Sequence, residues 1–393
     1  MNYDSILSER AQAIQPSPIR RFFDMAENME GVISLGVGEP DFRTPWTIRS
    51  AAISTLERQA IFYGANSGLL QLREEISHFM QRKYKLNYCP ENELLVTIGG
   101  SEAVDLTFRT LLNPGDEVLI TEPCFVCYAP LVSMADGVPV SLPTKEENEF
   151  RLTAEELKAK ITPKTKLLML SYPNNPTGAI MEKEDLEQIA RVVEKHDLLV
   201  ISDEIYSELI YDGHAHVSFA SLSGMYPRTI TINGFSKAFA MTGWRVGYAC
   251  AAEEIIAVMN KIHQYAIMCA PRQGQVAALC ALRTGRENGY ESILSMRDSY
   301  DRRRRLMVNA FRQMGLDCFE PYGAFYVFPS VSRTGLSSED FCSQLLQEKD
   351  VAAVPGTAFG PSGEGHIRCC YATAIDKINI ALDRMADFVA HRS

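Results

Sequence analysis

A chain of 393 residues, 46% hydrophobic and 22% charged, has globular proportions and enough length for two packed domains, which argues against disorder. The formal charge of −10 disfavours nucleic acid or an anionic membrane as a partner, although a local basic patch would survive in that background. No apolar stretch of signal-peptide length lies between Met1 and Glu30 and no uncharged run approaches spanning length, so a soluble cytoplasmic protein is expected.

The middle of the chain alternates short apolar runs with helical periods, the pattern of crossover units around a mainly parallel sheet and hence of an α/β fold. Thr97-Ile98-Gly99-Gly100-Ser101-Glu102-Ala103 leads into a helix with Val104, Phe108, Leu111 and Leu112 on one face. Glycines before a helix let backbone amides approach an anion, although a plain cap by Ser101 explains the segment equally well. Glu117-Val118-Leu119-Ile120 reads as a strand after the turn at Asn113-Pro114-Gly115-Asp116. Cys124 and Cys127 then form a C-x-x-C pair, but the seven histidines offer no matching metal spacing, so the ten cysteines are expected to be reduced structural thiols.

The next strand, Lys166-Leu167-Leu168-Met169-Leu170, ends in Ser171-Tyr172-Pro173-Asn174-Asn175-Pro176-Thr177-Gly178. Leu186, Ile189, Ala190 and Val193 mark one face of a crossover helix before the strand Leu198-Leu199-Val200-Ile201. Ser202-Asp203-Glu204-Ile205-Tyr206 follows, placing Asp203 at a strand's carboxyl end, where open parallel sheets bind ligands; as a bare residue it would equally serve as a helix cap. After Thr229-Ile230-Thr231-Ile232 come Asn233-Gly234-Phe235-Ser236-Lys237 and, eight residues beyond the lysine, Arg245 in a glycine-containing loop. A lysine able to form a Schiff base, an arginine able to grip a phosphate and a carboxylate able to hold a pyridine nitrogen protonated form the set that pyridoxal 5′-phosphate (PLP) requires. Asn175 and Tyr206 are placed to reach the phenolate oxygen of such a ring.

From about Gly285 longer helical stretches take over, and the basic run Arg302 to Arg305 is expected on a solvated helix face. Ala324-Phe325-Tyr326-Val327-Phe328 reads as a strand of a separate mixed domain. Gly365-His366-Ile367-Arg368-Cys369-Cys370-Tyr371 reads as another, with one arginine that is either a surface ion pair or a clamp for a substrate carboxylate.

Together with Ile33-Ser34-Leu35-Gly36-Val37-Gly38-Glu39-Pro40-Asp41-Phe42 and Tyr63-Gly64, these segments resemble the fold-type I, class I PLP-dependent aminotransferases over essentially the whole chain. Ser17-Pro18-Ile19-Arg20, Gly323-Ala324-Phe325-Tyr326 and Pro355-Gly356-Thr357-Ala358-Phe359-Gly360 look most like the aromatic amino-acid enzymes, with aspartate enzymes close behind. The resemblance implies a large PLP-binding domain at 46–285, a C-terminal small domain at 286–393, and an N-terminal arm at 1–45 that shares in the small domain. It implies Lys237, Asp203 and Tyr206 as catalytic residues. Gly100, Ser101, Ser236 and Arg245 are implied at the phosphate, Phe125 on the ring, and Asn175 with Tyr206 at the phenolate oxygen. Arg368 with Gly38 and Asn175 would hold the substrate. Tyr63 would reach the phosphate of a neighbouring subunit, implying a homodimer, and the expected metal complement is none.

The implied reaction moves an amino group from an L-amino acid, aromatic donors favoured, to a 2-oxo acid such as 2-oxoglutarate. Aspartate transamination, carbon–sulfur β-elimination on the same fold and a non-catalytic effector-binding role are the alternatives. Gly234, where many relatives carry serine, implies one missing phosphate contact, and Cys369-Cys370 departs from the family pattern without an evident reason.

Overall fold

The computed structural model describes residues 6–16, 19, 29, 31–58 and 61–392, so Ser17, Pro18 and Arg20 lie outside the described residues. Its centre is a seven-stranded sheet of β2 (Leu94–Thr97), β3 (Glu117–Glu122), β4 (Val138–Pro143), β5 (Thr165–Ser171), β6 (Leu199–Asp203), β7 (Thr229–Gly234) and β8 (Gly247–Cys250), in the order β2-β8-β7-β6-β5-β3-β4. The pairs from β7 through β4 are parallel, while β8 runs antiparallel to both neighbours. Strands such as Leu167-Leu168-Met169-Leu170 are buried on both faces, which is why their sequence is continuously apolar instead of alternating. The helix Lys183–Lys195 turns Leu186, Ile189, Ala190 and Val193 into the core, as its periodicity requires.

β8 has no counterpart in the sequence reading. It is short and begins at Gly247, where a Cβ would stand 2.5 Å from the carbonyl carbon of Gly99 and 2.6 Å from the amide of Gly100. The absent side chain lets the β2-to-helix turn lie against this strand.

Outside that sheet, β1 (Ile33–Ser34) pairs in parallel with β10 (Val351–Ala352), and β11 (Val354–Pro355), β12 (Ile367–Cys370) and β9 (Tyr326–Val327) form a three-stranded sheet. The expected strand at Ala324–Phe328 contracts to two residues, because Ala324 takes a left-handed backbone at φ 57°. That at Gly365–Tyr371 contracts to Ile367–Cys370, with Gly365 at φ 82° just ahead of it. Ile33 and Leu35 share a core with Met296, Met307, Phe341 and Phe388, and the amide of Cys370 donates to Leu35 O across 2.7 Å. Cys369 and Cys370 are fully buried there, so this pair acts as small apolar filling between β9 and the helices. The helix that crosses residue 285 spans Arg272–Asn288.

The basic run corrects one expectation. On the helix Glu291–Gln313, Arg303 and Arg304 are buried, the latter completely. Arg304 Nε donates to Asp301 Oδ1 across 2.9 Å, and its two amino groups pair with Glu320 and Asp212. Arg303 Nη1 donates to Asp41 at 2.9 Å and to Thr373 O at 2.8 Å. Half of the run is therefore internal, because Asp41, Asp212 and Glu320 reach it from distant loops that a helical count does not reveal. Among the described residues no helix is long and apolar enough to cross a membrane.

Candidate active site

The carboxyl ends of β5, β6 and β7 open into a cavity of about 280 Å³. Its lining includes Gly38, Gly100, Ser101, Phe125, Asn175, Asp203, Tyr206, Ser236, Lys237, Arg245 and Arg368, so residues spread over more than three hundred positions converge on one space. Tyr63 stands apart from it, 81% exposed on the surface. Tyr128, Ser171, Cys127, Thr242 and Tyr326 also line the cavity, although their sequence context assigns none of them a role there.

At one end the helix Gly100–Leu111 points its first amides inward. Gly99, at φ 79°, occupies the cap position, so Ser101 is not the cap its residue type suggests. A Cβ on Gly99 would stand 2.6 Å from Arg245 Nη2, which makes room for a guanidinium beside the helix start. Arg245 Nη1 donates to Thr242 O at 2.9 Å. Free helix amides and a guanidinium aimed at one point are an anion cradle. Behind them, Glu102 accepts the Ile98 amide, and His263 Nδ1 lies 2.6 Å from its other oxygen, bracing the turn from within. At Gly234 a Cβ would lie 3.0 Å from Gly247 Cα and 3.1 Å from Val246 O, so close strand packing accounts for glycine at this position.

Deeper in, register sets Ser171 of β5 beside Asp203 of β6. The Tyr128 hydroxyl donates to Asp203 Oδ2 at 2.8 Å and lies 3.0 Å from Ser171 Oγ, while the Ile205 amide donates to Asp203 Oδ1. Burial raises the Asp203 carboxyl to about 6, with the two hydrogen bonds opposing the shift. On the far side of the strand, Glu204 accepts from Ser202 and Ser218, each at 2.8 Å, and lies 2.9 Å from His216 Nε2, so alternation sends the two adjacent carboxylates to different duties.

Lys237 Nζ donates to Gly38 O at 2.8 Å. Burial lowers its amine to about 8, helped by the Arg368 and Arg245 cations and opposed by Cys370 and Glu39, so far more of it is neutral near physiological pH than of an ordinary lysine. The Tyr206 and Tyr326 hydroxyl oxygens are 2.8 Å apart. Arg368 Nη1 donates to Asn175 Oδ1 at 2.8 Å and Nη2 to Gly36 O at 2.5 Å, leaving the buried Nε without a partner. Its guanidinium is flanked by the rings of Tyr326 and Phe359, 4.5 and 4.7 Å from their centroids. A buried guanidinium with a donor to spare calls for an anion.

Residues 30–385 match the family model "Aminotransferase class I and II". The chain belongs to this family. It is 52% identical to the putative aminotransferase YugH of Bacillus subtilis, over 98% of each chain, and 48% identical to an aspartate aminotransferase of Pyrococcus abyssi, over 96% of this chain and 97% of that one. The solved aromatic aminotransferase of Pyrococcus horikoshii superposes with a TM-score of 0.90 at 45% identity, covering 95% of this chain and 99% of that one. The protein is thus an aminotransferase of the PLP-dependent type, on the fold expected from its sequence.

Proposed function

We propose that this aminotransferase holds PLP in the cavity through Lys237 and moves the amino group of an aromatic L-amino acid to a 2-oxo acid such as 2-oxoglutarate. The residues fit the cofactor: the helix-start cradle suits a phosphate, and the buried Asp203 suits a protonated pyridine nitrogen. When bound, that ring accepts the electron pair released at the substrate α-carbon. Gly100, Ser101, Ser236 and Arg245 hold the phosphate, Asp203 keeps the ring nitrogen protonated, and Phe125 stacks on the ring. Asn175 and Tyr206 donate to the phenolate oxygen, and Asn175 still has both amide protons because its oxygen already serves Arg368. Arg368 takes the substrate α-carboxylate near the backbone of Gly38. Once an incoming amino donor has displaced it, Lys237 Nζ would be the base that takes the substrate α-proton and gives it back, chemistry that ends in release of one 2-oxo acid and, run in reverse with a second, in transfer of the amino group.

One observation carries the preference for aromatic donors. Among the described lining residues the cations are Lys237, Arg245 and Arg368, each already assigned, whereas Ile19, Val104 and Tyr326 offer apolar and aromatic surface. Arg43, the arginine that follows the Ile33-to-Phe42 segment, is exposed and does not line the cavity, and Arg20 lies outside the described residues. Aspartate transamination is the second reading, favoured by the name of the Pyrococcus abyssi relative. The test compares kcat/KM for phenylalanine, tyrosine, aspartate and alanine at saturating 2-oxoglutarate. Aspartate exceeding both aromatics by more than about tenfold, or about 1.4 kcal/mol, overturns the aromatic assignment.

The same reading makes the protein a cytoplasmic homodimer with domains at 46–285 and at 286–393, the latter joined by part of 1–45. Phe62, Tyr63, Trp46 and Tyr265 are each more than 60% exposed, side chains that a partner subunit would cover. Tyr63 then completes the phosphate site of the partner. The ten cysteines are free, the state a reducing compartment maintains.

A further inference from the structure

Tyr326 touches the site at three points that belong to different functions. Its hydroxyl oxygen lies 2.8 Å from that of Tyr206. Its ring face carries the Arg368 guanidinium 4.5 Å from the centroid. A Cβ on Gly38 would stand 2.2 Å from its hydroxyl, so the phenol occupies space that only glycine leaves free, next to the carbonyl that accepts Lys237 Nζ. The ring is 1% exposed and packs edge-on against Phe325 and Tyr206, which fixes the hydroxyl in place.

Two hydroxyls 2.8 Å apart share one hydrogen bond, and the surroundings decide its direction. Each phenol carries a single proton. Burial raises both and the Arg368 cation opposes it at both, ranking directly after burial at Tyr326 but behind the upward influence of Tyr326 itself at Tyr206. The more acidic phenol is the better donor. With Tyr326 donating to the oxygen of Tyr206, the Tyr206 proton is free to point into the cavity, and its hydroxyl is polarised by the bond it accepts.

We propose that Tyr326 is a positioning residue for transamination: its hydroxyl donates to Tyr206 and strengthens the Tyr206 bond to the cofactor's phenolate oxygen, while its ring holds the Arg368 guanidinium flat for a carboxylate. This rests on the proposed placing of PLP on Lys237 and of Tyr206 at the phenolate. A hydrogen bond to that oxygen withdraws electron density that would otherwise stabilise the neighbouring imine proton. Weakening the Tyr206 bond therefore makes the imine more basic.

The experiment is a pH titration of the visible absorption of the holoenzyme and of Tyr326→Phe, which keeps the ring and removes the hydroxyl. The midpoint of the imine transition should rise in the variant by about 0.4 to 1 pH unit, the equivalent of one neutral hydrogen bond. KM for the best amino donor should stay within about twofold in Tyr326→Phe and rise about fivefold or more in Tyr326→Leu, where the cation loses its ring. An unchanged midpoint, or one that falls because Tyr206 had been donating to Tyr326, overturns the hydroxyl role. Equal KM values in the two variants overturn the ring role. A parent holoenzyme whose absorption band is not removed by borohydride overturns the placing of PLP on Lys237 itself, a result that the Tyr326 variants do not affect.

Discussion

Tyr128 donates its hydroxyl proton to Asp203 Oδ2 across 2.8 Å, binding the first residue of the helix Tyr128–Met134 to the last residue of β6. The bond favours the carboxylate and so opposes the burial that raises Asp203 to about 6. Tyr128→Phe should raise the Asp203 carboxyl of the cofactor-free protein further, and lower the holoenzyme's kcat/KM by about tenfold, the value of one hydrogen bond to a charged group. Steady-state kinetics of the two holoenzymes, with cofactor retention after dialysis, check this.

Asp203 also predicts how the cofactor-free chain responds to pH. The folded carboxyl titrates at about 6 against an ordinary value of 3.8, so between these values the folded state binds more protons than the unfolded one. Stability attributable to this group therefore falls as pH rises from about 4 to 6, and the cost of the buried charge is fully present above that window. Asp203→Asn removes the titration while retaining an oxygen for Tyr128. Relative to the parent it should gain up to ~3 kcal/mol between pH 4 and 7, read from urea unfolding of the cofactor-free proteins. A pH-independent difference would contradict the buried-charge account.

Lys237 has its amine lowered to about 8 by burial, and only the neutral amine attacks an aldehyde. Capture of PLP by the cofactor-free protein should accelerate through about pH 8 and level off above it. In Lys237→Ala the visible band that borohydride removes should be absent. Peptide mapping of the reduced parent should find the pyridoxyl group on Lys237 and on no other lysine.

Arg368 offers a carboxylate its unpartnered Nε beside two amino groups held by Asn175 and Gly36. Lysine provides one point charge in place of that fork. Arg368→Lys should lower kcat/KM by roughly 10- to 100-fold for every amino donor while leaving the cofactor absorption intact. Loss confined to a single donor would point to a side-chain subsite instead.

Arg304 makes a prediction about stability alone. Its guanidinium is fully buried against Asp212, Asp301 and Glu320, and its removal leaves those partly exposed carboxylates only their outer partners Arg305 and Arg312. Arg304→Met should destabilise the chain by about 3 kcal/mol, the lower end for a broken buried ion pair, since these partners can regain water. Arg302→Met, on the same run, should be nearly neutral.

The sequence alone determined the sheet-and-helix alternation and the strand-end chemistry, because Asp203, Lys237 and Asn175 each follow an apolar run within a few residues and local order dictates where a strand stops. It also determined the family, through segments spread from Ile33 to Arg368. Tertiary structure decided what no local pattern encodes. Tyr128 meets Asp203 across 75 positions, and Tyr326 meets Tyr206 across 120. The antiparallel β8 depends on Gly247 lying against the turn at Gly99, and the burial of Arg304 on acidic residues supplied by separate loops. Periodicity reports which face of an element is apolar, whereas a polar contact between distant elements depends on how those faces are finally packed.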